Sequence, residues 1–323
     1  MRAVRYHDHG GADVLRVDEI DRPDPADDEV VIEVAAAGIN PVDTYFREGA
    51  YEPFTLPMIP GVDAAGEVVA AGADAADAGF AAGDAVVTTG LSKDHYGGCA
   101  EYVAVPTDRA AVLPDGVDPV AAGGAGVAAV TAWRALIDHG DLEPAQTALI
   151  HGGSGGVGHA AVQIAAATGA RVVTTAAPEY HDRLESLGAD AALDYARDDL
   201  RDAVATASGG DGPDVILDHR LDDYLQFDAD VAAQDARIVG IGENDPEIGF
   251  SNDGVARGKE LTYQFMSMFN TPTLARPLER VAHLLGEGDL TIEVARTYDL
   301  DEVADAHRDV MADSFLGKLV VTL

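Results

Sequence analysis

Within twelve residues, Asn40-Pro41-Val42-Asp43-Thr44-Tyr45-Phe46-Arg47-Glu48-Gly49-Ala50-Tyr51, the chain gathers an amide, two phenols and a guanidinium. Hydrogen-bond donors of this kind stabilise negative charge that develops on an acceptor oxygen. A second cluster, His151-Gly152-Gly153-Ser154-Gly155-Gly156-Val157-Gly158, offers backbone instead of functional groups. Glycines let the chain turn tightly and bring N–H groups close to a pyrophosphate, while a helix starting near Val157 adds the positive end of its dipole. A glycine cluster alone also suits a plain turn. A strand before it, a helix after it and further strand–helix units beyond favour a dinucleotide cradle.

The adenosine end of that cradle can be read from the next strand. Recognition of NAD places an Asp or Glu at its tip, about 20 residues on, against the ribose hydroxyls. Here the tip reads Val172-Val173-Thr174-Thr175-Ala176-Ala177, with no acid before Glu179. The missing carboxylate leaves room for a 2′-phosphate, with His181 and Arg183 as nearby cations, so the expected cofactor is NADP(H).

The elements that hold these residues fall into two patterns. Up to residue 110, short β-rich runs (Ala3–Tyr6, Val14–Val17, Val30–Ala37, Ala64–Ala71, Ala85–Thr88 and Ala100–Val105) are punctuated by Gly, Pro and Asp, as strands joined by turns. Ala70–Gly83 reads as a solvated loop, and Pro119 to His139 as a helical tract. After Asp141 strands and helices alternate through Thr147–Ile150, Val157–Ala167, Arg171–Thr175, Tyr180–Leu187, Ala191–Asp194, Leu200–Ala207, Val215–Asp218, Ala229–Gln234 and Arg237–Ile241. That alternation predicts a parallel sheet with right-handed crossovers. Leu278–Leu285 then reads as a helix and Leu319–Leu323 as a final strand. The last 60 or so residues are too few for an independent core, so they are expected to return to the first domain, with the active site in the cleft between the two domains.

Length and charge agree with this division. A chain of 323 residues predicts about two domains. Its 57 acidic against 21 basic side chains leave a net charge of −36, a field that repels nucleic acid and anionic membranes. Forty of the acids are Asp and only three of the cations are Lys (Lys93, Lys259, Lys318). With 47% hydrophobic residues the chain is too apolar for disorder, and the balance points to a halophile's surface. The single Cys99 makes no internal disulfide, which suits a reducing compartment. The start MRAVRYHDHGG has no apolar signal region and no run of about 18 apolar residues occurs, so the cytoplasm is expected. The ten histidines are not spaced as metal ligands; His219, beside Asp218, follows a strand of the parallel sheet and could face the cofactor, although a polar loop residue is the commoner case.

Gly152–Ala165 (GGSGGVGHAAVQIA), Gly38-Ile39-Asn40-Pro41-Val42-Asp43 and Pro60-Gly61-Val62-Asp63-Ala64-Ala65-Gly66 together resemble the medium-chain dehydrogenase/reductase superfamily, and within it the zinc-independent quinone oxidoreductase (zeta-crystallin-like) branch. The likeness runs from the first strand to Gly317-Lys318-Leu319-Val320-Val321. It implies an α/β fold: a GroES-like β-rich catalytic domain over residues 1–122 and 261–323, and a Rossmann-type doubly wound domain over 123–260. Where zinc-bearing members carry Cys and a His-Glu pair, this chain has Asn40 and Val62-Asp63, and the four-cysteine lobe is missing, so no metal is expected.

The resemblance also implies site residues. Asn40 and Tyr51 would line the substrate pocket, with Tyr45 as a weaker candidate, since a phenol in a β-rich domain is more often packed core. Thr131, the loop residues Gly152, Ser154, Gly155, Gly156, Val157 and Gly158, and Thr175, Tyr180, Arg183, Tyr195, Gly240, Ile241 and Gly242 would contact the cofactor. Two positions depart from the pattern: Ala176 and Tyr180 stand where NADPH-using relatives place a small polar residue and a Lys, and Asp218-His219-Arg220-Leu221-Asp222-Asp223 stands where Gly-Gly is common. Either the nicotinamide end of the site is remodelled or Arg220 supplies the missing cation from another direction. Phe265–Asn270 suits a pocket wall, a dimer contact or plain core. The expected function is NADP(H)-dependent hydride delivery to a quinone or an activated alkene (enone or enoyl) without zinc, by a homodimer. A zinc-type alcohol or sugar dehydrogenase and a non-catalytic, crystallin-like nucleotide-binding protein are the alternatives.

Overall fold

The computed structural model describes residues 1–51, 55–92, 95–312 and 314–323. The chain divides into two units, Met1–Val130 with Thr271–Leu323, and Thr131–Asn270.

The first unit begins with an antiparallel hairpin, β1 (Arg2–Arg5) and β2 (Arg16–Glu19). The eleven-residue β3 (Glu29–Ile39) follows and is its central strand. Apolar residues occupy both faces of β3 because each half serves a different core. Val30, Ile32 and Val34 pack with Val68, Val86 and Val103, whereas Ala37 and Ile39 pack with Leu319 and Val321. After α1 (Pro41–Glu48), β4 (Ala64–Ala71) pairs with β3. The segment read as a solvated loop instead contains α2 (Ala73–Asp77), because Ala75 is fully buried against the β3 core. The strands β5 (Ala85–Thr88), β6 (Tyr102–Pro106) and β7 (Ala110–Val112) complete this run.

The helix α3 (Pro119–Trp133) contains the boundary between the units and continues into a π-helical turn at Arg134–His139. Pro119–His139 is long and apolar enough to cross a membrane, but 72% of its apolar window is buried inside the protein, as in a core helix.

In the second unit, β8 (Thr147–Ile150), α4 (Gly156–Ala167), β9 (Arg171–Ala176), α5 (His181–Ser186), β10 (Ala191–Asp194), α6 (Leu200–Ala207), β11 (Val215–Asp218), α7 (Leu221–Val231), β12 (Arg237–Gly240), α8 (Asp253–Gly258) and β13 (Thr262–Phe265) alternate. All six strands are parallel, in the order β10-β9-β8-β11-β12-β13. The order reverses between β8 and β11, and a ligand of such a sheet sits at the carboxyl ends of the strands at that switch point. Two local expectations are corrected. The helix expected at Ala229–Gln234 starts earlier, at Leu221, where Asp222 and Asp223 suit the positive end of its dipole. Residues 261–270, expected to return to the first domain, supply the sixth strand, with Thr262–Phe265 pairing to Arg237–Gly240. Phe265 is 57% exposed and Met268 is buried, so that stretch is not uniformly core.

The chain then re-enters the first unit through α9 (Ala275–Glu287), β14 (Val294–Asp299), α10 (Val303–Ala312) and β15 (Lys318–Thr322). β15 lies antiparallel to β3, with Leu319 opposite Ile39, and parallel to β14.

Candidate functional site

The catalytic candidates of the first unit are positioned by α1. Asn40 precedes the helix, its N–H donating to the Asp43 carboxylate at 2.8 Å, and Pro41 occupies the first helical position, where no N–H is needed. Gly49, in the left-handed region at φ 82°, ends the helix. The chain folds back there, Ala50 N–H reaching the Tyr45 carbonyl at 2.9 Å. This turn brings Tyr45 and Tyr51 edge to face, ring centroids 6.1 Å apart, with Phe46 5.8 Å from Tyr51. Tyr51 is 54% exposed and Tyr45 36%, so Tyr45 is not the packed core residue expected of it.

Asn40 is placed differently. It is buried, and its amide nitrogen donates to Asp63 Oδ2 at 2.9 Å and to the Gly38 carbonyl at 3.4 Å, while its oxygen accepts from Lys318 Nζ. Asp63 Oδ1 accepts from Thr89 Oγ1 at 2.6 Å and from the Val127 N–H at 2.8 Å. Lys318 also donates to the Ile39 carbonyl at 2.9 Å. Asn40, expected to line the substrate pocket, has its amide engaged by protein at both ends. Burial pushes Asp63 up and Lys318 down, each opposed by the other's charge. Burial also pushes Asp43 up to about 6, against the N–H groups of Asn40 and Val62.

These residues do not fit a zinc ion. Asn40 and Val62 are not ligands of the kind zinc takes, and both oxygens of Asp63 are occupied by protein donors. Among the described residues no group of three or more His, Cys, Asp or Glu side chains could hold a metal.

The second unit presents the glycine turn. Gly152 is left-handed at φ 68°. A Cβ on Gly153 would fall 2.1 Å from Thr174 Oγ1, and one on Gly158 2.1 Å from the Gly152 carbonyl, so both glycines are needed for close packing. At Gly155, by contrast, a Cβ would meet only the Gly152 carbonyl at 3.4 Å; the turn is open there. Gly155 precedes α4 without a side-chain cap, so the N–H groups of Gly156, Val157 and Gly158 have no acceptor inside the helix. An open, glycine-walled turn on a helix N-terminus fits a dinucleotide's phosphates.

Around the turn the cofactor candidates separate. Thr175 is buried beneath it, its Oγ1 accepting from the Gly152 N–H at 3.2 Å, so Thr175 supports the loop and does not line an open surface. Thr131 is nearly buried on α3, and Ser154 and Tyr180 are half-buried. Arg183 is exposed on α5, where it reaches Ser186 Oγ at 3.1 Å. His181 bonds the Ala176 carbonyl at 3.0 Å. Tyr195 is 52% exposed and borders an open depression of ≈ 470 Å³ with Arg197, Tyr224 and Phe227. Gly240–Gly242 meets the loop after β11: Ile241 N–H donates to the Asp218 carbonyl at 2.8 Å, and Leu221 N–H to the Gly242 carbonyl at 3.2 Å. Arg220 pairs with Asp223. The His219 ring lies over the glycine turn, 2.5 Å from where a Cβ on Gly152 would stand.

The roles of Asp63 and Lys318 are not evident from local motifs. One signal existed: Lys318, one of three lysines in the chain, opens the otherwise apolar strand KLVVT.

Comparison with known proteins matches residues 26–115 to the alcohol dehydrogenase GroES-like domain and 187–321 to the zinc-binding dehydrogenase family model. The quinone oxidoreductases of Lama guanicoe and Homo sapiens are 33% and 32% identical over 100% of this chain and 98% of their own lengths. Among solved structures, an NAD-dependent alcohol dehydrogenase is 28% identical with a TM-score of 0.90, and Escherichia coli quinone oxidoreductase complexed with NADPH is 26% identical with a TM-score of 0.87; each aligns over 100% of both chains.

Proposed function

Because the chain belongs to the quinone oxidoreductase family of the medium-chain dehydrogenase/reductase superfamily, we propose that it is an NADPH-dependent oxidoreductase that reduces a quinone or another conjugated carbonyl compound without zinc. The open turn at Gly152–Gly158 carries this reading. The first-turn N–H groups of α4 and Ser154 would hold the pyrophosphate, with Thr131, Tyr195 and Gly240–Gly242 as further contacts. No carboxylate stands at the tip of β9 to repel a 2′-phosphate, and Tyr180 and Arg183 are the side chains in sequence position to meet it. When bound, the nicotinamide supplies the hydride.

The protein's own part is orientation and charge stabilisation. Tyr51, exposed and steadied by Phe46 and Tyr45, donates a hydrogen bond to the acceptor oxygen as negative charge builds on it. Asn40 anchors the start of α1 from within the buried network. Reduction of a quinone then consumes one hydride and one proton from solvent and yields the hydroquinone. We also read the aspartate-rich surface as adaptation to high salt in the cytoplasm, and the working form as a homodimer.

The test is NADPH oxidation in multimolar KCl with a benzoquinone, a naphthoquinone, an enone and an enoyl-CoA, and NADP reduction with an alcohol. Fastest turnover with a quinone is the expected result. A preference for alcohol would overturn the reading, and NADPH binding without turnover on any acceptor would favour the non-catalytic alternative.

A further inference from the structure

Two carboxyl groups lie buried behind the glycine turn, at the end of β11 and on α7. Asp218 and Asp228 are both 0% exposed, and each has an Oδ2 with no hydrogen-bond partner. Two buried anions in contact are untenable; unpartnered buried oxygens call for an explanation. The two side chains are within hydrogen-bonding reach of each other.

The bonds around the pair run in one consistent direction. Gly152 N–H donates to Thr175 Oγ1 at 3.2 Å, and Thr175 Oγ1 lies 3.3 Å from His151 Nδ1. His151 Nε2 lies 2.9 Å from Asp228 Oδ1. Burial holds the His151 pKa down near 4, so the ring is neutral and carries one N–H. A carboxylate oxygen only accepts, which puts that N–H on Nε2 and leaves Nδ1 to accept from the threonine hydroxyl. At the far end, Asp218 Oδ1 accepts from the Arg220 N–H at 2.7 Å. Along this run of side chains from Thr175 to Asp218 the two Oδ2 atoms alone are left without a partner, and one proton satisfies both.

We propose that Asp218 and Asp228 share one proton between their Oδ2 atoms, and that this bridge makes them positioning residues for the glycine turn and hence for the phosphates of the dinucleotide. The second half rests on the cofactor reading given above. The bridge ties together the four elements that frame the turn: β8 through His151, β9 through Thr175, the loop after β11 through Asp218 and Arg220, and α7 through Asp228. It also fixes the stem of His219, whose ring covers Gly152. Tyr224 stacks on His151 at 4.2 Å and seals that side. Burial and the neighbouring carboxylate raise Asp218 to about 7, and burial raises Asp228 well above the ordinary carboxylate range, in keeping with retention of a proton. The other titratable groups near the pair are His219, Tyr224, Tyr263, Asp223 and Asp230, with Arg220 a cation close by.

Asp228→Asn mimics the protonated bridge, since its oxygen can accept from His151 and its nitrogen donate to Asp218. Asp228→Ala leaves both partners stranded. In NADPH fluorescence titrations at pH 8 and high salt, Asp228→Asn should bind within about threefold of the parent and Asp228→Ala at least tenfold more weakly, with circular dichroism confirming the fold of each. Infrared spectra at pH 8 should show a protonated-carboxyl C=O band in the parent that Asp228→Asn and Asp218→Asn each remove. Absence of that band in the parent overturns the shared proton whatever the cofactor does. The band present with equal NADPH affinity in all variants overturns the positioning role, as does loss of affinity in Asp228→Asn matching that in Asp228→Ala. A parent with the band and no affinity for NADPH overturns the cofactor reading instead.

Discussion

The side-chain nitrogen of Asn40 donates to Asp63 Oδ2 at 2.9 Å, and the oxygen of the same amide accepts from Lys318. One neutral amide thus bridges a buried anion and a buried cation, joining the start of α1, the approach to β4 and the first residue of β15.

Removing one charge of that bridge leaves the other stranded. Lys318→Met should destabilise the protein by about 3–5 kcal/mol, the usual cost of an uncompensated buried charge. Adding Asp63→Asn should restore part of the loss. Denaturant melts of both singles and the double close the cycle, and simple additivity would show that the two charges do not interact.

The two ends of the glycine turn should respond differently to the same methyl group. Gly158→Ala forces a Cβ to within 2.1 Å of the Gly152 carbonyl, so a lowered Tm is expected. Gly155→Ala meets nothing closer than 3.4 Å and should keep its Tm while weakening NADPH binding, because it narrows the open side of the turn. Thermal melts with and without NADPH separate the two effects; equal affinity in Gly155→Ala and the parent would remove Gly155 from the phosphate site.

Tyr51→Phe should lower kcat with a quinone by about 10²-fold and leave NADPH affinity unchanged, the pattern of a lost donor to developing charge. Tyr45→Phe should change kcat by less than about threefold, since the edge-to-face contact survives loss of the hydroxyl. Steady-state kinetics on both variants decide it, and the reverse order of effects would exchange the two roles.

His307 provides a pH test in the first unit. It is buried, Arg47 donates to its Nδ1 at 3.0 Å, and burial, aided by the arginine's charge, lowers its pKa to about 3. An unfolded histidine takes a proton near 6.5, whereas this one stays neutral. The stability it confers is therefore complete above about pH 6.5 and is lost as the pH falls toward 3, at about 1.4 kcal/mol per pH unit. Between pH 7 and 5, His307→Gln should gain about 2 kcal/mol on the parent; parallel stability curves would contradict the assignment.

Net charge sets a separate expectation. With −36 on 323 residues, self-repulsion opposes the compact state until salt screens it. The Tm should rise steadily between about 0.1 M and about 3 M KCl, as the Debye length falls toward about 3 Å. A flat or falling Tm would argue against salt adaptation.

The parts of this protein legible in its sequence are those whose requirements are local. Gly152 to Gly158 could be read because tight turning and close approach demand glycine within a few residues, and the alternation of strands and helices gave the parallel sheet. Asn40 was legible as a residue of note but not in its role, since Asp63 and Lys318 reach it only through the register of β3, β4 and β15. The helix α7 was masked by the acids of its first turn, which look like loop residues in sequence and serve as helix-start residues in the fold. Tyr45 was misjudged for a related reason: its exposure depends on which face of α1 is covered, and the Gly49 turn decides that. His151 and Asp228 stand 77 positions apart, beyond the reach of any spacing argument.

The pairing of β15 with β3 also bears on how the polypeptide is made. Synthesis is vectorial, so β3 emerges well before its neighbour at residues 318–322. Until then the Ala36–Ile39 end of β3 lacks its β15 partner and the core around Ala37 and Ile39 lacks Leu319 and Val321. The parallel sheet of the second unit has all six strands by residue 265 and can close first. The nascent chain therefore carries an open β edge until residues 318–322 are made, a stage at which contact with another chain competes with native closure.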